Sequence, residues 1–259
     1  MKKIRSFTSI IIAFIFLLAV SSCKKKADDA TPAAETGTFE IHLHTNADTN
    51  ELDAYNDTVV LTGGRQISVS LSQLYISGIQ LIKSDGSLVD APSVSILQKL
   101  GVEEYIIGSV PSGNYKSIKF NVGLSSSVNS TTPAATDTNL YRPEMWYGSS
   151  VSPDGFIFVN LQGSIDTATV PSASNQLIPF AYKIGTNAHL VSVTMPDENY
   201  TVAPGQLGVV HLVSDYAKLF SGIQLNVPSN LQVNTAADNN GALASQLAIN
   251  IRSMFSYEY

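Results

Sequence analysis

The residues of this chain with the most chemistry to offer are its four histidines, His42, His44, His189 and His211, and its sole tryptophan, Trp146, which stands between Met145 and Tyr147. His42 and His44 are separated by one residue, and residues two apart on an extended strand project from the same face. Such a pair can reach one metal ion or simply face water. Imidazole suits copper and zinc, and a thioether such as Met145 offers suits cuprous copper. The candidate metal ligands that this spacing offers are therefore His42 and His44. Met145 is a candidate neighbour of that metal, while the plainer role of the adjacent Trp146 is a packed aromatic anchor.

Catalytic apparatus is sparse. The chain has no Gly-x-Ser-x-Gly elbow, no His-Glu-x-x-His pair and no Cys-x-x-Cys. Gly63 and Gly64 punctuate a hairpin turn, not a phosphate-cradling loop before a helix. Asn46, Asp48, Asn50 and Glu51 alternate like oxygen ligands, but the glycine and terminal glutamate of a calcium loop are missing, so a solvated loop is expected. With no nucleophile beside a base, the expectation is a binding protein and not an enzyme.

The elements that must position these side chains are mostly strands. Phe39, Ile41 and Leu43 alternate with Glu40, His42 and His44; Ile67, Val69 and Leu71 with Ser68 and Ser70; Ile118, Phe120 and Val122 with Lys119 and Asn121. Further strands are expected over 75–82, 93–97, 156–165, 178–184, 190–195 and 207–212, separated by turn signals such as Ser84-Asp85-Gly86 and Pro111-Ser112-Gly113. Many short strands with this punctuation predict an all-β, two-sheet antiparallel sandwich. Val213, Tyr216, Leu219 and Phe220, and later Leu243, Leu247, Ile251, Met254 and Phe255, recur at helical spacing. Each predicts a short helix near the C-terminus.

The start of the chain reads as an export signal. Lys2, Lys3 and Arg5 precede an apolar run from Ile10 to Val20, then Ser21, Ser22 and the sole cysteine, Cys23. The run is too short to span a bilayer comfortably, which takes about 20 apolar residues. Cleavage before Cys23 with lipidation of its thiol would tether the protein to a membrane it does not cross. The expected organisation is a signal peptide over 1–22, a lipidated polar tether over 23–37 and one β-sandwich domain over 38–259. A break at 125–139, dividing two smaller sandwiches, is the alternative. A cysteine followed by Lys24-Lys25-Lys26 and Asp28-Asp29 resembles lipoproteins of Bacteroidota, anchored to the outer membrane or envelope with the periplasmic or surface face left open. Without the signal, 12 Lys and Arg stand against 21 Asp and Glu, a formal net charge of −9. An acidic surface repels phosphate backbones, which argues against nucleic-acid partners.

Several segments occur in an order that resembles the MbnP-like family: LSQLYISGIQLIK at 71–83, PSGNYKSIKFNVG at 111–123, PEMWYGSSVSPDGFIFVNLQG at 143–163 and PFAYKIG at 179–185. DYAKLF at 215–220 and IRSMFS at 251–256 are similar to that family as well. The resemblance implies an all-β, secreted or membrane-attached protein related to copper binders in which two histidines and a tryptophan-derived kynurenine hold the metal. It further implies a dihaem partner of the cytochrome c peroxidase type that oxidises the tryptophan. His42 or His44 matches the family's first-strand histidine, and Trp146 lies in the segment of the modified tryptophan. Two departures stand out: Tyr182-Lys183-Ile184-Gly185 replaces an aromatic-His-x-Gly motif, and Gly148-Ser149-Ser150 replaces an aromatic-rich run. Copper binding or handling at His42, His44 and His189 is one functional expectation. The other is a surface module without metal, binding carbohydrate or protein through Tyr141, Trp146 and Tyr147.

Overall fold

Strand β1, Thr36–Ala47, carries the first alternating segment, and its pattern decides which way the histidines face. Phe39, Ile41 and Leu43 are fully buried, so the intervening His42 and His44 must point to the opposite side of the sheet. Burying three such side chains stabilises the strand by about 1.5–3 kcal/mol each, far more than any preference of a half-exposed imidazole. The apolar residues therefore aim the histidines.

The structure is a computed structural model that describes residues 35–92, 95–148 and 153–258. The expected signal peptide, Cys23 and most of the tether lie outside those residues, as do Ser93, Ser149 and Ser150. From Glu35 onward the chain forms one compact unit. After β1 the main strands are β2 (Gln66–Lys83), β3 (Ser95–Lys99), β4 (Glu104–Pro111), β5 (Gly113–Val122), β6 (Pro153–Asp166), β7 (Leu177–Gly185), β8 (Val191–Thr194), β9 (Leu207–Asp215) and β10 (Phe255–Tyr257). Helices α1 (Ser126–Asn129) and α2 (Ala242–Ile251) complete the framework. One sheet runs β10-β9-β1, with β4 on the other side of β1 and the short strand Asn50–Glu51 at its end. The larger sheet runs β8-β5-β2-β6-β7 and ends on Gln232–Val233. Together they make the expected sandwich-like, mostly β fold.

Its sheets are mixed, whereas the sequence pattern predicted antiparallel ones. Strand β1 pairs in parallel with β9, and β7 in parallel with Gln232–Val233. Alternation cannot distinguish the two, because the side-chain period is two in either case.

The helical expectations also shift. Strand β9 continues through Val213 to Asp215, whose carboxylate accepts from the Ala217 backbone N–H at 2.9 Å and opens a 3-10 turn over Tyr216–Phe220. Helix α2 buries Ala244, Leu247, Ala248 and Ile251, one stripe of a regular helix. Met254 belongs to the turn back into β10 and Phe255 opens that strand, so neither is part of the helix.

The main core joins Phe39, Ile41, Leu43, Ile118, Phe120, Leu161, Leu212 and Leu247. A second, smaller cluster gathers Tyr75, Leu124, Met145, Trp146, Phe156 and Phe158. Strands β2 and β6 shift register between Gln162 and Gly163, and a side chain at Gly163 would run into the carbonyl oxygen of Ser68. Only glycine fits that close approach. Among the described residues no helix is long and apolar enough to cross a membrane.

Candidate metal centre

The outer face of the β10-β9-β1-β4 sheet brings three of the four histidines together. In the parallel register of β1 with β9, His42 stands directly opposite His211. The His42 ring lies 4.8 Å from that of His44 and 5.0 Å from that of His211, nearly parallel to both. His211 was one histidine among four in the sequence. Its place here depends on a pairing between segments some 170 positions apart, which no local pattern reports.

Three glutamates surround these rings, each delivered by a different element. Glu103 enters on the loop before β4, because the Leu43 N–H donates to its backbone oxygen at 2.8 Å. Glu51 sits on the short strand paired to the end of β1. Glu258 follows β10, and its N–H donates to the carbonyl of His211 at 3.3 Å. His42 Nε2 donates to Glu103 Oε2 at 3.2 Å, and His44 Nδ1 to Glu51 Oε1 at 2.6 Å. His44 Nε2 and His211 Nδ1 stand 3.3 and 3.4 Å from one oxygen of Glu258.

The side chains of His42 and His44 are about one-fifth exposed, and His211 about half. Burial pushes the His44 pKa down, but the Glu51 hydrogen bond and the charges of Glu258, Glu103 and Glu51 outweigh it and hold it above 6.5. Two groups of metal-ligating side chains have mutual spacings that one ion could bridge: His42, His44 and Glu103; and His44, His211 and Glu258. A third, Glu51, Asp53 and Glu103, is wholly acidic. Imidazole with carboxylate is a donor set for Cu2+ or Zn2+.

The Asn46–Glu51 segment is a structural turn in the main. Asp48 adopts a positive φ of 62° and accepts from the Thr62 backbone N–H, while the Asn50 side chain donates to the Val60 carbonyl at 2.9 Å. Of the four, Glu51 is the one that hydrogen-bonds an imidazole, that of His44.

His189 lies elsewhere, in a 3-10 turn between β7 and β8 of the larger sheet, and it is 6% exposed. Its Nδ1 faces two acceptors, the Gly185 carbonyl at 2.9 Å and Asn239 Oδ1 at 3.1 Å, so that nitrogen carries the proton. Among the described residues it belongs to none of the metal-spaced groups. Its bonding is that of a core histidine.

Trp146 and Met145 are likewise separate from the imidazoles. Met145 is fully buried, and Trp146, 5% exposed, packs edge-on against Tyr141 and Phe156. Its indole N–H donates to the Leu140 carbonyl at 3.1 Å. The hollow beside it is lined by Glu144, Asn160, Gln162 and Lys183, with no histidine among the described residues that border it. A histidine–kynurenine copper set does not fit there. An exposed aromatic platform does not form either, because Trp146 and Tyr147 are both turned into the protein and only Tyr141 remains substantially open.

The sequence model of the MbnP family matches residues 36–239. Among solved structures, MbnP from Methylosinus trichosporium is similar over 74% of this chain and 80% of that one, at 13% sequence identity and a TM-score of 0.49. No curated protein matches.

Proposed function

The chain belongs to the MbnP family, and from that premise we propose that it is a cell-envelope lipoprotein, anchored through Cys23, that binds and hands on copper without catalysing a reaction. The observation that carries this reading is the convergence of His42, His44 and His211 with Glu51, Glu103 and Glu258 on one sheet face. A partly exposed row of imidazoles, with His211 the most open, could exchange an ion with a partner, as storage or delivery requires.

The ligands favour cupric over cuprous ion. No thioether joins the cluster, since Met145 is spent in the second core, and divalent copper is the tightest-binding divalent first-row ion for a nitrogen–oxygen set. His42, His44 and His211 would supply nitrogen, and the glutamates oxygen and charge. An oxidised Trp146 is not needed, so the dihaem oxidant implied by resemblance forms no part of the proposal.

The test is metal analysis of the full-length, untagged protein purified from copper-supplemented cells. At least one copper per chain is expected, lower in His42→Ala, lowest in His44→Ala and unchanged in His189→Gln. Wild-type protein free of copper would overturn the reading.

A further inference from the structure

We infer that the histidine strip holds two divalent cations that share one imidazole, with His44 binding one ion through Nδ1 and the other through Nε2. This deepens the copper-binding reading and rests on it.

The argument begins with the two edges of the His44 ring. Its Nδ1 looks towards Glu51 at 2.6 Å and Glu103 Oε1 at 3.9 Å, and Glu103 in turn reaches His42 Nε2 at 3.2 Å through its other oxygen. Its Nε2 looks the other way, towards Glu258 at 3.3 Å, and that same carboxylate oxygen lies 3.4 Å from His211 Nδ1. Each edge therefore has its own second histidine and its own carboxylate. The two ligand groups have only His44 in common.

The spacings suit ions. Ligand atoms at about 2.0–2.1 Å from a tetrahedral zinc stand about 3.3 Å from one another. The contacts of Glu103 with His42 and of Glu258 with His44 and His211 fall at 3.2, 3.3 and 3.4 Å. Each position has three protein donors, which leaves room for water or for a donor from a partner as the fourth. The near-parallel rings need only turn about their own side-chain bonds to aim their nitrogens inward.

Charge points the same way. Ligation through both nitrogens releases the remaining ring proton of His44 to the buffer, leaving that ring as an anion. Together with Glu51, Glu103 and Glu258 it matches the charge of two divalent cations, whereas one cation would leave a surplus of carboxylate on a strip that is only partly exposed. The wholly acidic group of Glu51, Asp53 and Glu103 plays no separate part, since it borrows Glu103 from the first position.

The experiment uses full-length, untagged protein in detergent, stripped with a chelator and dialysed to equilibrium against Zn2+. Two equivalents are expected for wild type and one each for His42→Ala and His211→Ala. His44→Ala should bind none at the free Zn2+ concentration that fills the wild type. His211 is the most exposed of the three, so its loss should leave the fold intact. With Cu2+, the paramagnetic resonance signal should grow to the first equivalent and shrink towards the second, because two cupric ions couple through a shared ring.

One equivalent in wild type, abolished by His42→Ala, would overturn the shared ring and leave the single-copper reading standing. Two equivalents that survive His44→Ala, or a Cu2+ signal that doubles, would also overturn it. No binding of either ion would remove both.

Discussion

His44 is the residue on which the site turns, because each of its ring nitrogens faces a carboxylate from a different element. That surround favours the doubly protonated ring in the metal-free protein, consistent with a pKa held above 6.5. The sign of the consequence is fixed. A histidine with a raised folded pKa contributes stability that is complete below its unfolded value and is lost as pH rises through its folded one. In proton NMR titrations His44 should show a midpoint above 6.5 that moves down in Glu51→Gln, and metal-free protein should become slightly less stable as pH climbs through that midpoint. Metal binding should run the other way, strengthening over the same interval, because the ion displaces protons from its ligands. A His44 midpoint below 6.5 would contradict the placement of the three glutamates around it.

The strand that carries His42 and His44 was readable from its alternation, since Phe39, Ile41 and Leu43 define the inward face without help from the rest of the chain. The partners of the two histidines were not readable. His211, Glu103 and Glu258 arrive through strand pairing between distant segments, and residue spacing carries no trace of it. For the same reason His189 stood as a conditional candidate. What sets it apart is Asn239, whose side chain accepts from the Gly185 N–H and from His189 and donates to Tyr147, to the Lys183 carbonyl and to the Thr235 carbonyl. This one amide fastens the end of β7 to the 235–240 segment. Asn239→Ala should cost about 2–4 kcal/mol in urea unfolding, because it strands several buried polar groups that are worth about 1–3 kcal/mol each. Zinc stoichiometry should be untouched. A change in metal content would instead tie His189 and its surroundings to the site.

Taken entire, the chain depends on packing alone. Cys23 is its only cysteine, so no disulfide can form within one molecule, and the stabilising effect that cross-links lend many exported domains is missing. The large sandwich core and the small Trp146 cluster must suffice. Thermal unfolding of the full-length protein in detergent should therefore show the same midpoint with and without a thiol reductant. A drop of several degrees on reduction would point to an intermolecular bridge. Chelator, by contrast, should lower the midpoint of metal-loaded protein, since an ion bound only by the folded state stabilises it by mass action.

The parallel pairing of β1 with β9, and the antiparallel pairing of β9 with β10, decide when the histidine strip is completed. His42 and His44 emerge early in synthesis, while Glu258 emerges more than two hundred positions later. On the proposed route out of the cell, a chain still threading through a channel would present His42, His44, Glu51 and Glu103 without His211 and Glu258. The group of His44, His211 and Glu258 is therefore complete only once the C-terminal strand has been made and has docked.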